Sequence, residues 1–202
     1  MSDEKIDEQQ KYCINLWASN LGDGNKPEDY LPSSLTYKRT KHLIKTMKKL
    51  GIDFNNKTIH EMGCNVGRNL VAIKKEYPEA KLSGNDVNKK GFIVSKKFFG
   101  KDINGVKFTL ESTQSLLEKN EHYDVLISMA HIMHLPHSVD NLLKTKIPKM
   151  CDIFIAYEPK DRKDLGKYIF ARNLKKFFGV KPVYSEWRPV REINRLNVFD
   201  FR

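Results

Sequence analysis

Five strand-sized apolar runs recur along this chain, each separated from the next by a helical pattern, and that alternation constrains the fold more than any other feature. The runs are "KTIHEM" at 57 to 62, "KLSGND" at 81 to 86, "GVKFTLES" at 105 to 112, "YDVLISMA" at 123 to 130 and "CDIFIAYE" at 151 to 158. Parallel strands need helix-length crossovers between them, so this order predicts a parallel sheet covered on both faces. A helix is expected at 36 to 50, where Leu43, Ile44, Met47 and Leu50 share a face and Gly51 ends the pattern. Others follow at 67 to 77, with Leu70, Ile73 and Tyr77 inward before Pro78, at 89 to 99, and between the last two runs, marked by Val139, Leu142, Leu143 and Ile147. A further helix is expected around 163 to 178. The closing runs "KPVYSEW" and "RLNVFDF" alternate as an antiparallel edge pair would. The expected architecture is a doubly wound, mostly parallel, seven-stranded α/β sheet with an antiparallel C-terminal strand pair.

A chain of 202 residues, 40% of them hydrophobic, can bury one substantial core and is short for two. Cys13, Cys64 and Cys151 are far apart, fit no paired metal spacing and are too few for a disulfide framework. The apolar runs fall well short of the roughly 20 residues a membrane span needs. The start, "MSDEKIDEQQ", is too acidic and polar for a signal peptide. A cytoplasmic protein without a membrane span is expected. The formal charge is +11, with a basic block at Lys38, Arg39, Lys41, Lys45, Lys48 and Lys49 and a tail from Lys160 to Arg202 holding 12 Lys and Arg against 5 Asp and Glu. Such a balance favours an anionic partner without choosing among RNA, a sugar phosphate or a nucleotide-linked sugar.

The turn after the first run, "EMGCNVG" from Glu61 to Gly67, opens a helix as a nucleotide-binding turn would. It fits neither phosphate-binding pattern. A dinucleotide fingerprint starting at Gly63 needs glycines where Asn65 and Arg68 stand, and no Lys-Ser or Lys-Thr follows for a phosphate loop. Glu61 would face a pyrophosphate with like charge. A ligand with an ammonium or sulfonium group and no phosphate has the opposite preference, and S-adenosylmethionine is such a ligand. Asp86 ends the second run 19 residues after Gly67, about where a carboxylate holds a ribose diol. Asn65 is one of the few non-glycine types that adopt a positive φ readily, so the cradle can keep its shape.

With these residues in place the chain resembles a class I S-adenosylmethionine-dependent methyltransferase. "IHEMGCNVGRNL" is similar to the family's first motif, "LSGNDVN" to its second, "FTLES" to its third and "YDVLISMAHIMHLP" to its fourth, in order from about Lys57 to Pro159. The variant G-C-N-x-G-R-N-L resembles a subgroup of small methyltransferases often associated with surface-sugar biosynthesis. The resemblance implies a Rossmann-like methyltransferase domain at 37 to 202, with 1 to 36 as a lid or cap segment. It implies that Glu61, Gly63 and the backbone of Cys64, Asn65 and Gly67 contact the methionine part of the cofactor. Asp86 would meet the ribose, Val87 the adenine face, Glu111 and Ser112 the adenine edge, and Ser128 and Met129 the region near the methyl group. The lid aromatics Trp17, Tyr30 and Tyr37 would pack over the cofactor, with Tyr37 the one expected to touch it.

Methyl transfer from a sulfonium is an in-line displacement, so alignment supplies much of the catalysis. A hydroxyl acceptor would benefit from a base. His131, His134 and Glu158 are the candidates, and His137 reads as a loop or cap residue. No Asn-Pro-Pro-Tyr-like or Pro-Cys sequence follows the fourth run, which argues against the usual base-modifying reactions. No metal-ligand spacing competes. The expected activity is methylation at oxygen of a small or saccharide acceptor, an anionic one included, with S-adenosylhomocysteine as product. The alternatives are an RNA or protein methyltransferase and a cofactor-binding regulator without turnover.

Overall fold

In the structure, a computed structural model, residues 8–19, 26–32, 34–159, 169–187 and 194–202 are described. The N-terminal helix α1 (Glu8–Ala18) is followed by a single 3-10 turn (Pro27–Tyr30) and by α2 (Ser34–Lys49). The expected alternation then appears: β1 (Thr58–Met62), α3 (Arg68–Glu76), β2 (Lys81–Asp86), α4 (Lys89–Phe99), β3 (Val106–Leu110), α5 (Thr113–Glu118), β4 (Tyr123–Met129), α6 (Asp140–Met150) and β5 (Cys151–Pro159). A short α7 (Leu174–Phe178), β6 (Tyr184–Trp187) and β7 (Asn194–Asp200) complete the chain. Polar residues start the helices where the chain leaves a strand. Asn88 accepts from Gly91 N at the head of α4, and Ser112 accepts from Ser115 N at the head of α5.

The seven strands run in the order β3-β2-β1-β4-β5-β7-β6. All pairs from β3 to β5 are parallel, whereas β7 is antiparallel to both β5 and β6. The closing pair is thus antiparallel, as its alternation suggested, but β7 is inserted into the sheet and β6 alone forms that edge. Val198 and Phe199 are both fully buried because each face of β7 has a helix layer above it. One layer packs Leu43 and Met47 of α2 and Leu70 and Ile73 of α3 on Ile59, Val125, Ile127 and Val198. The other packs Leu116, Leu143, Ile147 and Phe178 on Leu126, Phe154 and Phe199.

The helix expected around 163 to 178 is a correction. Residues 163 to 168 lie outside the described set, 169 to 173 are not helical, and only Leu174–Phe178 form a helix, capped by Asn173. The cause is Arg172, a member of the basic tail, whose side chain is turned inward. Its guanidinium donates to the carbonyls of Ile132, Leu135, Pro136 and Phe170 and to Asp140 Oδ1, at 2.7 to 3.0 Å. These bonds hold residues 170 to 172 against the loop that follows β4. The basic block on α2 is likewise partly engaged: Lys48 pairs with Glu76, Lys49 lies over the Tyr184 ring and Arg39 over the Tyr157 ring. No described helix is long and apolar enough to cross a membrane.

Candidate functional site

The chain moves outward from β1 through β2 to β3, and outward the other way from β4 through β5, so the carboxyl ends of β1 and β4 flank a crevice. Met62 pairs with Asn85 on one side and Ser128 on the other. The turn from Glu61 to Gly67, the end of β2 and the loop after β4 therefore meet, around a cavity of about 490 Å³. That volume lies in the range of about 300 to 1,000 Å³ that small-molecule sites occupy. Gln10, Cys13, Ile14 and Trp17 of α1, with Tyr30, close its outer side.

The turn is built from left-handed residues: φ is 65° at Gly63, 46° at Asn65 and 67° at Gly67. Gly63 is required twice over, because a Cβ there would lie 2.0 Å from Nδ1 of His131. Asn65 adopts the positive φ its residue type permits, and its backbone N–H donates to Asp86 Oδ2 at 2.8 Å. Asn88 N donates to Asp86 Oδ1 at 2.8 Å. Asp86 thus laces the two turns together, Val87 N–H also bonds its carboxylate, and part of its acceptor capacity stays open for a ligand. Burial raises its pKa, and the backbone bonds offset part of that rise.

Glu61 is 2% exposed. Its Oε1 accepts from Asn69 Nδ2 at 2.6 Å, and Asn69 Oδ1 in turn accepts from the Thr40 hydroxyl. Glu61 lines the cavity, and its Oε2 is buried with no partner among the described residues. Burial pushes the Glu61 carboxyl up to about 8, against the lowering pull of the Asn69 bond and the Arg68 charge. Arg68 itself donates to Tyr30 O at 3.1 Å and stacks over the Tyr30 ring.

Glu158 organises the loop after β4. Oε1 accepts from Ser128 Oγ at 2.6 Å, His131 N at 2.9 Å and Ile132 N at 3.0 Å, and Oε2 accepts from Met133 N at 3.2 Å. The loop leaves β4 through Ala130, whose φ of 56° is a strained value for a residue with a side chain. His131 Nε2 lies 2.6 Å from Thr113 Oγ1, and its Nδ1 edge abuts Gly63. Burial, and then the neighbouring His134, press its pKa down to about 3, so the ring is neutral at working pH. The His134 ring packs against Trp17 at a tilt of 53°, with centroids 4.2 Å apart.

Of the expected cofactor contacts, Glu61, Gly63, Cys64, Asn65, Asp86, Val87, Glu111, Ser112 and Met129 line the cavity. Gly67 does not line it and sits at the head of α3, its Cα against the Phe108 ring. Ser128 is fully buried beneath the floor. Among the candidate bases, His131 and His134 line the cavity and Glu158 does not. The Tyr37 side chain lies outside the described residues. Sequence reasoning missed Asn69, Thr113 and Arg172. Asn69 left a faint signal, a polar residue four positions before the inward-facing Ile73. The described residues hold no group of three or more His, Cys, Asp or Glu able to bind a metal.

No protein-family model and no curated protein sequence matches the chain. Solved structures do. Magnesium protoporphyrin IX methyltransferase from Synechocystis PCC 6803 with bound S-adenosylhomocysteine is similar with a TM-score of 0.72 at 12% identity, over 95% of this chain and 98% of that one. The same enzyme with bound S-adenosylmethionine gives 0.69 at 11% identity, over 98% of both chains. The PH0226 protein from Pyrococcus horikoshii OT3 gives 0.65 at 12% identity, over 83% of this chain and 92% of that one. At such identities the likeness is one of fold: the chain has the Rossmann-like fold of class I S-adenosylmethionine-dependent methyltransferases.

Proposed function

We propose that the chain is an S-adenosylmethionine-dependent methyltransferase acting at oxygen on a small-molecule or saccharide acceptor. The observation that carries this reading is the pairing of two acids at the carboxyl ends of adjacent strands. Glu61 presents a buried oxygen without a partner among the described residues, suited to a cationic ligand, and Asp86 keeps acceptor capacity suited to a ribose hydroxyl. Both acids line one cavity of suitable size, so the residues present fit the cofactor.

In this reading Glu61, Gly63 and the Cys64–Asn65 backbone receive the methionine part and Asp86 the ribose. Val87, Glu111 and Ser112 bound the adenine, and Met129 borders the transferring group. When bound, the cofactor supplies an electrophilic methyl on a cationic sulfur. The chain's own contribution is alignment and exclusion of water by α1 and the loop after β4. His131, held against Thr113 through Nε2, takes the acceptor's proton through the Thr113 hydroxyl; burial makes it too weak a base to deprotonate a hydroxyl beforehand, so the proton moves as methyl transfer turns the acceptor oxygen into an acidic oxonium. His134 anchors α1 through Trp17, and Glu158 fixes the loop. The enclosure of the cavity by Ile14, Trp17, Met133 and Leu135 supports a small acceptor, and Arg39 on its wall suits an anionic one.

Incubation with a labelled methyl donor and fractionated cell extract tests the proposal. Label is expected in small molecules or glycans, and His131→Asn should lower its incorporation about 10²-fold. Label confined to RNA or protein, or cofactor binding with no incorporation anywhere, would overturn the acceptor class or the activity respectively.

A further inference from the structure

We infer that docking of the cofactor's amino group on Glu61 expels one proton from that side chain to solvent, so that cofactor occupancy depends on pH across the neutral range. The inference rests on the cofactor reading above and concerns how the site is regulated. Glu61 is 2% exposed, and among the described residues Asn69 is the single hydrogen-bond donor to Oε1 and Oε2 has none. An ionised carboxylate in that setting would be left with one oxygen neither solvated nor bonded, whereas the acid form is neutral.

The surrounding groups do not reverse this. From α3, Asn69 supplies its one amide, and Arg68 is the nearby cation but commits Nη1 to Tyr30 O. From β2, Asp86 adds a negative charge that opposes a second one. From α2, Thr40 bonds Asn69 and not the carboxylate, and Arg39 lines the same cavity. From the loop after β4, His131 is neutral across Gly63, and the Cys64 thiol stays protonated because burial pushes it up. Burial lifts Glu61 to about 8 in the cavity without ligand. On binding, the Oε2–H bond breaks, the proton passes to buffer and the carboxylate accepts N–H bonds from the arriving ammonium. One positive charge enters as one leaves. Below pH 8 the protein must shed this proton to bind, so affinity falls by about tenfold per pH unit.

Calorimetric titration with S-adenosylhomocysteine between pH 6 and pH 8, in buffers of different ionisation heat, tests this. Expected results are release of about one proton at pH 7 and affinity that climbs toward pH 8. A carboxylic-acid carbonyl band in the infrared difference spectrum should be lost on binding. Glu61→Gln should bind more weakly, with flat pH dependence, no proton release and no such band. 5′-Methylthioadenosine, which lacks the amino group, should bind wild-type protein without proton release. Binding of S-adenosylhomocysteine with no proton release, or release that persists in Glu61→Gln, overturns the inference and leaves the cofactor reading intact. Failure to bind S-adenosylhomocysteine at every pH overturns both.

Discussion

Gly63 and His131 determine each other. The imidazole stands where a side chain at position 63 would be, which requires glycine for space as well as for its φ of 65°. Gly51 has a similar φ of 68° but open space around it. Gly63→Ala should therefore cost about 1 to 3 kcal/mol more than Gly51→Ala in denaturant unfolding, because it adds a clash to the same backbone strain. Equal costs would show that the ring yields freely and that the Gly63 contact shapes nothing. At this scale the sequence was legible where chemistry is local. Asn65 could be assigned a positive φ from its residue type, and the structure shows φ of 46° there. Thr113, Asn69 and Arg172 were not legible, because their roles depend on partners 18, 29 and 40 residues away in the chain.

The elements that shape the cavity differ in how they announce themselves. The strands and α2 to α4 carry strong periodicity and appear within a few residues of their expected bounds. Helix α1 carries little, since it buries only Gln10 and Cys13 and turns much of its inner side to the cavity. The segment before α7 misleads, because its apolar spacing suits a helix while Arg172 ties it to four carbonyls and Asp140. Arg172→Met should destabilise the fold by on the order of 3 kcal/mol, since it removes five hydrogen bonds and leaves the Leu135 and Phe170 carbonyls without the guanidinium, although Asp140 keeps His137. It should also speed hydrogen exchange at Ile132 and Met133, whose amides bond Glu158. Unchanged exchange there would mean that Glu158 alone holds the loop.

Across the whole molecule, the alternation of apolar runs and helices predicts the parallel sheet, and the order of the strands predicts where its crevice lies. The insertion of β7 was not legible, because "RLNVFDF" alternates at its start and becomes two-sided only at Val198 and Phe199, where two helix layers meet it. Part of the basic charge serves the fold itself: Arg172, Lys48 and Arg202 bond partners within the chain. In the proposed function the fold contributes the cavity at the switch point, lined by Glu61 and Asp86 from neighbouring strands. The direct test is equilibrium binding of S-adenosylhomocysteine to the wild type and to Asp86→Ala. The account predicts one-to-one binding that Asp86→Ala weakens by about 1 to 3 kcal/mol, the scale of hydrogen bonds to a charged group. Absence of binding, or equal affinity in the two proteins, would contradict it.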